Sequence, residues 1–390
     1  MIGLRPNIDL QAATFMGKYH NHSEAEIQDI LTTIDDPFTG IGLLENKALL
    51  GINVEAEKIE INLLKSYPTE HAKTKLSKLI SSCLQQVLNV ETINLTLNLS
   101  SQITAHSQNH AVKGIPNVAN IIAVSSGKGG VGKSTVSVNL ALSLQQQGAR
   151  VGILDADIYG PSLPRALNVN DKPEMTDKMM LPLESYGLQI MSIGLMVDQE
   201  TPMIWRGPMV TQALEQMLRG TAWPELDYLI LDLPPGTGDV QLTLAQKTPL
   251  AGAVVVTTPQ DIALLDVRKA LKMFEKVNVP VLGVIENMSS HVCSQCGHEE
   301  AIFGEGGGEN LAQEYNVPLL GSIPLDIHIR RAIDAGLPTT AKFAKSDECT
   351  DAEKAIIERY FDLSLRMAGQ LAARKKDYRS LFPKIEISNT

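Results

Sequence analysis

The sequence contains little cysteine, few aromatic residues and no long hydrophobic run. Four cysteines in 390 residues are too few for a disulfide scaffold and are typical of a reducing compartment. The longest apolar runs, at 188–197 and 251–256, are far shorter than the roughly 18 residues that a membrane-spanning helix needs. The start of the chain also lacks the basic and apolar segments of a signal peptide. We therefore expect a cytoplasmic protein with no membrane partner.

Basic residues are fewer than acidic ones. Asp plus Glu number 44 and Lys plus Arg number 34, which gives a formal net charge of −10. This balance argues against a protein whose main partner is nucleic acid. Hydrophobic residues make up 44% and charged residues 20% of the chain, which is typical of a folded globular protein. A chain of 390 residues is too long for one small core, so we expect two domains.

The hydrophobic patterning divides the chain into four parts. Residues 1–100 show helical and alternating patterns in the order α-β-β-α-β, which indicates a small α+β domain. Residues 101–118 are polar and lack periodicity, as in a linker. In residues 119–372, continuous apolar strands alternate with helices, which predicts an α/β domain with a mostly parallel sheet covered by helices on both faces. Residues 373–390 form a C-terminal tail.

Residues 127–134 match the complete phosphate-loop pattern G-x-x-x-x-G-K-[ST], with an apolar strand before it and a helical pattern after it. The glycines let successive backbone amides converge on phosphate oxygens, and the helix N-terminus adds partial positive charge. Lys133 supplies a charge to the β- and γ-phosphates, and the Ser134 hydroxyl can bind Mg²⁺. The predicted nucleotide contacts in this segment are Gly127, Lys128, Gly129, Gly130, Val131, Gly132, Lys133, Ser134 and Thr135.

Carboxylates follow two of the predicted strands. Asp155 and Asp157 come after one strand and Asp232 after another. Ligands of open parallel sheets sit at the carboxyl ends of the strands, so these side chains should lie near the phosphates. Because Mg²⁺ prefers oxygen ligands, we predict that Asp232 holds it through its water shell and that Asp155 shares the metal. We predict that Asp157 orients or deprotonates the attacking water.

A second lysine, Lys128, directly follows the first glycine of the loop. The stretch GKGGVGKST therefore resembles the deviant Walker A class of P-loop NTPases, which includes MinD, ParA and the nitrogenase iron protein. The resemblance implies a sandwich homodimer in which Lys128 reaches across to the phosphates of the second copy and, with Lys133, acts in catalysis. A guanine-specific N-K-x-D motif is absent, and Asn287 resembles the adenine-contacting asparagine of that class. ATP is the expected nucleotide.

One C-x₂-C pair, Cys293 and Cys296, lies between His291 and His298. This spacing places two thiolates on one metal centre. Three completions of the site are open: zinc with a histidine, a redox switch, or a [4Fe–4S] cluster held by two such pairs at a two-fold axis. The spacing alone gives zinc and iron–sulfur equal weight.

Longer motifs favour the cluster. The stretches SSGKGGVGKST, GILDADIYGPS, WRGPM, DYLILDLPPGTGD, TTPQDIALLD, ENMS and CSQCG resemble the Mrp/ApbC family of iron–sulfur cluster carriers. The resemblance implies a slow ATP hydrolase that holds a bridging [4Fe–4S] cluster on Cys293 and Cys296 in a homodimer and passes it from cluster donors to apo-proteins. Residues 1–100 resemble the MIP18-type domain, without the loop cysteine that some relatives carry. The alternatives are a MinD/ParA-like partitioning ATPase without a cluster and a zinc-stabilised scaffold.

Overall fold

The computed structural model describes most of the chain. The described residues are 22–55, 58–106, 112–158, 160–196, 207–293, 296, 298–374 and 376. The described residues divide into two compact units, those within 1–103 and 368–373, and those within 104–367 and 374–390. Most of the predicted tail, and Trp205 and Arg206 of the WRGPM motif, lie outside the described residues. Within the described part, none of the helices is both long enough and apolar enough to cross a membrane.

The first unit is a small α+β fold. Its described helices and strands are α1 (Glu24–Thr32), β1 (Leu49–Glu55), β2 (Lys58–Lys65), α2 (Ala72–Leu88) and β3 (Asn94–Ser101). The strands form a sheet in the order β1-β2-β3, with β1 antiparallel and β3 parallel to β2. Alternate residues of β2, Ile59, Ile61 and Leu63, are buried, as the alternating pattern predicts. The order α-β-β-α-β agrees with the prediction.

A buried polar cluster ties the loop after α1 to the end of β2. The Lys65 ammonium donates to Oδ2 of Asp36 and to the carbonyl of Leu43, both at 2.9 Å. The Tyr67 hydroxyl donates to the same Asp36 oxygen at 2.6 Å. The side chains of Lys65 and Asp36 are only 5% and 2% exposed. Burial and the Asp36 charge raise the pKa of Tyr67 far above its usual value, so the hydroxyl remains a donor.

The second unit is built on one large sheet. Its α-helices and strands are β4 (Val118–Ser126), α3 (Lys133–Gln146), β5 (Val151–Asp155), α4 (Leu163–Ala166), β6 (Met175–Thr176), β7 (Met179–Met180), β8 (Leu183–Ser185), β9 (Leu188–Ser192), α5 (Gly207–Gly220), β10 (Leu226–Asp232), α6 (Asp239–Lys247), β11 (Leu250–Thr257), α7 (Asp261–Lys276), β12 (Val281–Val292), β13 (Glu299–Glu300), α8 (Gly307–Tyr315), β14 (Leu319–Leu325), α9 (Ile327–Asp334) and α10 (Asp351–Ala372), of which residues 368–372 belong to the first unit. Within the described residues, nine strands pair in the order β13-β12-β11-β4-β10-β5-β9-β8, with β14 also beside β12.

The sheet is mostly parallel, as predicted. Seven strands run parallel to one another: β9, β5, β10, β4, β11, β12 and β14. The short strands β8 and β13 pair antiparallel with their neighbours. Every residue of β11 is buried, because helices cover the sheet and leave no face for water. Alternate strand residues such as Ile121 and Ala123 join α5, α6 and α7 in one hydrophobic cluster, while α3 contacts β4, β5 and β10. The predicted fold class is therefore confirmed.

Helix α3 is buried almost all round, although its sequence predicts only one apolar face. Even its polar residues Ser137, Asn139 and Ser143 are fully buried. Asn139 accepts hydrogen bonds from the amide and hydroxyl of Thr340 at 3.1 and 2.9 Å, which provides partners for its side chain inside the core. This packing fixes the helix that follows the phosphate loop.

The outer strand β14 is covered by α10. The Arg366 guanidinium donates to the carbonyl of Leu320 at 3.1 Å, and that of Arg359 donates to the carbonyl of Ser322 at 3.5 Å. Pro324, within the same strand, has no backbone N–H to offer. The backbone of this edge is therefore partly occupied by side chains from the same chain.

Helix α10 begins at a capping box. The Thr350 hydroxyl accepts from the Glu353 amide at 3.3 Å, and the Glu353 carboxylate accepts from the Thr350 amide at 3.0 Å. The Lys342 ammonium also donates to Glu353. These contacts lower the pKa of Glu353 to about 2. The contact with Lys342 has the larger effect, and the hydrogen bond from the Thr350 amide has the next largest.

We expect Glu353→Gln to lower the free energy of unfolding by about 1 to 2 kcal/mol at neutral pH, because the glutamine keeps the cap on the Thr350 amide but loses the charged contact with Lys342. The folded-state pKa lies below that of an unfolded glutamate, about 4.3. The stabilisation is therefore complete above that value and is lost as the pH falls toward about 2. Urea unfolding should show the difference from wild type shrinking through this range. A difference for Glu353→Gln that stays constant over this range would contradict the assignment.

Candidate functional site

The phosphate loop lies at the carboxyl end of β4, between β12 and α7. Gly130 and Gly132 have φ values of +85° and +83°, in the left-handed region that favours glycine. A Cβ at Gly132 would also overlap the side-chain amide of Asn287, and one at Gly127 would overlap the backbone of Asp266 in α7. The glycine spacing of the motif is therefore matched to the close approach of two neighbouring elements.

Four side chains meet at the start of α3. The Lys133 ammonium lies 2.8 Å from Oδ1 of Asp232, and these side chains are 6% and 0% exposed. The hydroxyls of Ser134 and Ser137 lie 2.6 Å from Oδ2 and Oδ1 of Asp232, respectively. Ser137 was not predicted from the sequence, because only the fold brings the second turn of α3 to β10. The result is a buried charge pair with two hydroxyls beside the phosphate loop.

The residues predicted for magnesium fit such an ion. The Ser134 hydroxyl and the Asp232 carboxylate are hard oxygen ligands at hydrogen-bond distance from each other, next to the predicted phosphate position. Mg²⁺ bound there would neutralise phosphate charge. Lys133 would place its ammonium beside the same carboxylate, and its other N–H groups can donate to phosphate oxygens.

Asp155 organises the loop that follows β5. Its carboxylate accepts hydrogen bonds from the backbone amides of Asp157, Ser162 and Leu163 and from the Ser192 hydroxyl, at 3.1 to 3.2 Å. Burial, followed by the nearby charge of Asp232, raises the pKa of Asp155 above its usual range. The hydrogen bonds describe a loop-shaping role, while its share in a metal site and the catalytic role of half-buried Asp157 stay predictions.

The loop after β10 is held against the phosphate loop. The Gly236 amide donates to the carbonyl of Ser126 at 3.0 Å. The amide of Gln241, a buried side chain on α6, donates to the carbonyl of Pro235 at 2.6 Å. Gln241 was not predicted from the sequence. The feature of the sequence that could have indicated it is a glutamine at a position where the helical pattern of α6 is otherwise apolar.

Asn287 lies under the phosphate loop. Its side-chain amide donates to the carbonyl of Val131 at 2.9 Å, and the residue is 7% exposed. The sequence predicted a contact with the adenine base, and this stays a prediction. The contact that the structure describes holds the loop itself.

The cysteine pair lies beyond the end of β12. Cys293 is half-buried and its amide donates to the carbonyl of His298 at 2.8 Å, whereas Cys296 is exposed. His291 lies with Nδ1 3.4 Å from the carbonyl of Leu325. Among the described side chains there is no group of three or more His, Cys, Asp or Glu residues that could hold a metal ion. The two cysteines thus lie in the segment between β12 and β13.

Lys128 is half-buried near the start of the loop, and its carbonyl accepts from the Ser126 hydroxyl at 2.9 Å. This bond orders the backbone on the amino-terminal side of the loop. The role of the ammonium across a dimer stays a prediction.

Comparisons with known proteins agree with this geometry. Residues 117–360 match the family model of the NUBPL iron-transfer P-loop NTPase, and residues 24–95 match that of an iron–sulfur cluster assembly protein. The iron–sulfur cluster carrier protein of Haemophilus influenzae is 48% identical over 325 residues, which cover 83% of this chain and 87% of that protein.

Two further similarities extend across kingdoms. The iron–sulfur cluster transfer protein NUBPL of Mus musculus is 50% identical over 239 residues, 60% of this chain and 75% of that protein. The nucleotide-binding protein of Archaeoglobus fulgidus, solved in complex with ADP, is 39% identical with a TM-score of 0.51, and the match covers 56% of this chain and 87% of that one. The predicted resemblance is confirmed, and the chain belongs to the NUBPL-type P-loop NTPase family of iron–sulfur cluster carriers.

Proposed function

We propose that this protein is a slow ATPase of the cytoplasm that carries a [4Fe–4S] cluster between two copies of itself and delivers it to apo-proteins. The observation that carries the proposal is the thiol pair Cys293 and Cys296, which directly follows the strand that contacts the phosphate loop. A [4Fe–4S] cluster takes four thiolates. Two copies related by a two-fold axis supply them, because each copy presents the same pair. The cluster is cargo that arrives from a donor and leaves with a client.

The nucleotide site has a defined place in this proposal. Lys133, Ser134 and Asp232 hold Mg–ATP, and Asp157 orients the attacking water. Lys128, near the start of the loop, reaches the phosphates of the second copy and stabilises charge in the transition state. ATP thereby favours the closed dimer in which the two thiol pairs face each other. The ADP bound to the Archaeoglobus relative supports an adenine nucleotide here.

Anaerobic iron–sulfur reconstitution tests the proposal. We expect wild type to show a broad absorption band near about 400 nm and to take up about two irons per chain, since two chains share four irons. The double variant Cys293→Ala/Cys296→Ala should take up almost none. The matched control is Cys349→Ala, which removes a buried thiol beside α10 and should keep the full iron content.

Two results would contradict the proposal. If wild type takes up no iron, or if the double variant takes up as much as wild type, the thiol pair is not the cluster site. A zinc-stabilised scaffold, or a partitioning ATPase without a cluster, would then be favoured, and metal analysis of the purified protein distinguishes the two.

A further inference from the structure

Strand β12 connects the phosphate loop directly to the cysteine pair. Asn287, within the strand, donates to the carbonyl of Val131 in the loop at 2.9 Å. The same strand continues to Val292, and Cys293 follows at once. Cys293 lies six residues after Asn287 in the chain. The two sites are therefore ends of one continuous segment.

The contact at the loop end is close and buried. A Cβ at Gly132 would overlap Nδ2 of Asn287 and would lie 3.7 Å from Cε of Met288. Gly132 is the last residue before α3 and precedes Lys133. Nucleotide that draws the loop amides toward its phosphates therefore acts on a backbone to which Asn287 is hydrogen-bonded. Any displacement of Val131 changes the position of this side chain or breaks its bond.

The strand is irregular immediately after this contact. Its pairing with β14 shifts once between Val284 and Ile285, stays in register to Asn287 opposite Ile323 and resumes only at His291 opposite Leu325, so residues 288–290 form a bulge. Met288, in the bulge, has φ +56°, a backbone conformation that residues other than glycine seldom adopt. A bulge interrupts the ladder, so the outer part of the strand can change its alignment without breaking the inner pairing.

The outer part of the strand carries the cysteine turn. His291 and Val292 pair with β13, and the Cys293 amide donates to the carbonyl of His298. The Ser289 hydroxyl donates to the carbonyl of Ile323 at 3.2 Å and links this outer part to β14. A change of alignment at the bulge therefore moves the backbone that positions Cys293.

We propose that Asn287 is a positioning residue that couples the two sites: through β12 and its bulge at Met288, nucleotide at the phosphate loop changes the exposure of the thiols of Cys293 and Cys296. This inference rests on the proposed function and adds its regulation. It assigns the link to β12 and not to the loop after β10. By linkage, the state of the thiols changes nucleotide affinity by the same factor.

Thiol alkylation of the cluster-free protein tests this coupling. N-ethylmaleimide labelling of Cys293 and Cys296 is followed by peptide mass spectrometry, with and without Mg–ATP at a concentration that saturates each variant in a binding titration. We expect ATP to change the wild-type labelling rate about five-fold or more. In Asn287→Ala, saturated with ATP, this change should be lost. The matched control is Asn117→Gly, directly before β4. It removes a side-chain amide that donates to the Trp223 carbonyl, and glycine tolerates the φ of +63° at this position. This variant should keep the wild-type labelling ratio.

A second variant tests the other part of the link. Met288→Gly relaxes the left-handed position without touching the Asn287 amide, and should also reduce the ATP-dependent ratio. The proposal is overturned if ATP leaves wild-type labelling unchanged, or if Asn287→Ala keeps the wild-type ratio. If Asn287→Ala binds no ATP, a wild-type ratio in Met288→Gly overturns it. Iron uptake is measured on the same preparations, so a failure of cluster binding is seen separately from a failure of coupling.

Discussion

Replacing Lys133 by alanine is expected to reduce ATP hydrolysis by about 100- to 1,000-fold, the usual effect of removing one group that stabilises transition-state charge. Lys133 is the buried cation of the phosphate loop and lies 2.8 Å from Asp232. Its loss removes charge stabilisation at the phosphates and also leaves the Asp232 carboxylate with fewer donors. Phosphate release at saturating Mg–ATP, with nucleotide affinity measured separately, gives the effect on the chemical step.

An exposed lysine provides the control for this prediction. Lys247 on α6 is 54% exposed and lies 3.5 Å from Glu215, so Lys247→Ala should hydrolyse ATP within about two-fold of wild type. Circular dichroism establishes that Lys133→Ala is folded before its activity is measured. A Lys133→Ala protein that is folded and retains more than about a tenth of the wild-type rate would show that this lysine is not part of the catalytic site.

The Asp36→Ala variant is expected to destabilise the first unit by about 3 to 5 kcal/mol, the typical cost of removing one partner from a buried ion pair. Lys65 would lose its carboxylate while only 5% exposed, and the Tyr67 hydroxyl would lose its acceptor. The Cys83 thiol is buried on α2, so its labelling in urea reports the unfolding of this unit. We expect the labelling midpoint to fall strongly in Asp36→Ala.

Two further variants define the size of that effect. Tyr67→Phe removes only one donor to Asp36 and should cost about 1 to 3 kcal/mol. Asn53→Ala, in the same unit, removes an exposed hydrogen bond to Glu55 and should cost less than about 1 kcal/mol. If Cys83 in Asp36→Ala becomes accessible at the same urea concentration as in wild type, the cluster does not stabilise the unit.

The local parts of the site could be predicted because their signal is contiguous in the chain. The phosphate loop needs a strand, its glycines and a helix in succession, and that order is visible in residues 127–134. The strands that became β4, β5, β10, β11 and β12 were likewise visible, because burial on both faces makes them continuous apolar runs.

The contacts between distant segments could not be predicted in this way. Ser137 and Asp232 are hydrogen-bonded although they lie 95 residues apart in the sequence, and Asn287 and Val131 lie 156 residues apart. The local sequence around each residue therefore does not indicate its partner. Strand β14 was missed because Gly321 and Pro324 interrupt an already short run. The burial of α3 on all sides could not be predicted, because its polar residues indicate an exposed face. Asn139 instead forms hydrogen bonds with Thr340, a residue far along the chain.

The covered edge of the large sheet restricts how copies of this protein can associate. An open edge strand with unpaired backbone groups is a template for adding a strand from another chain, and so for aggregation. Here Arg366 and Arg359 occupy carbonyls of β14, Pro324 removes a donor, and β8 at the other end of the sheet spans only three residues. Continuation of the sheet into a neighbouring molecule is therefore disfavoured at both ends. The proposed homodimer would then form through loops and helix faces, and the protein is protected against strand-by-strand polymerisation.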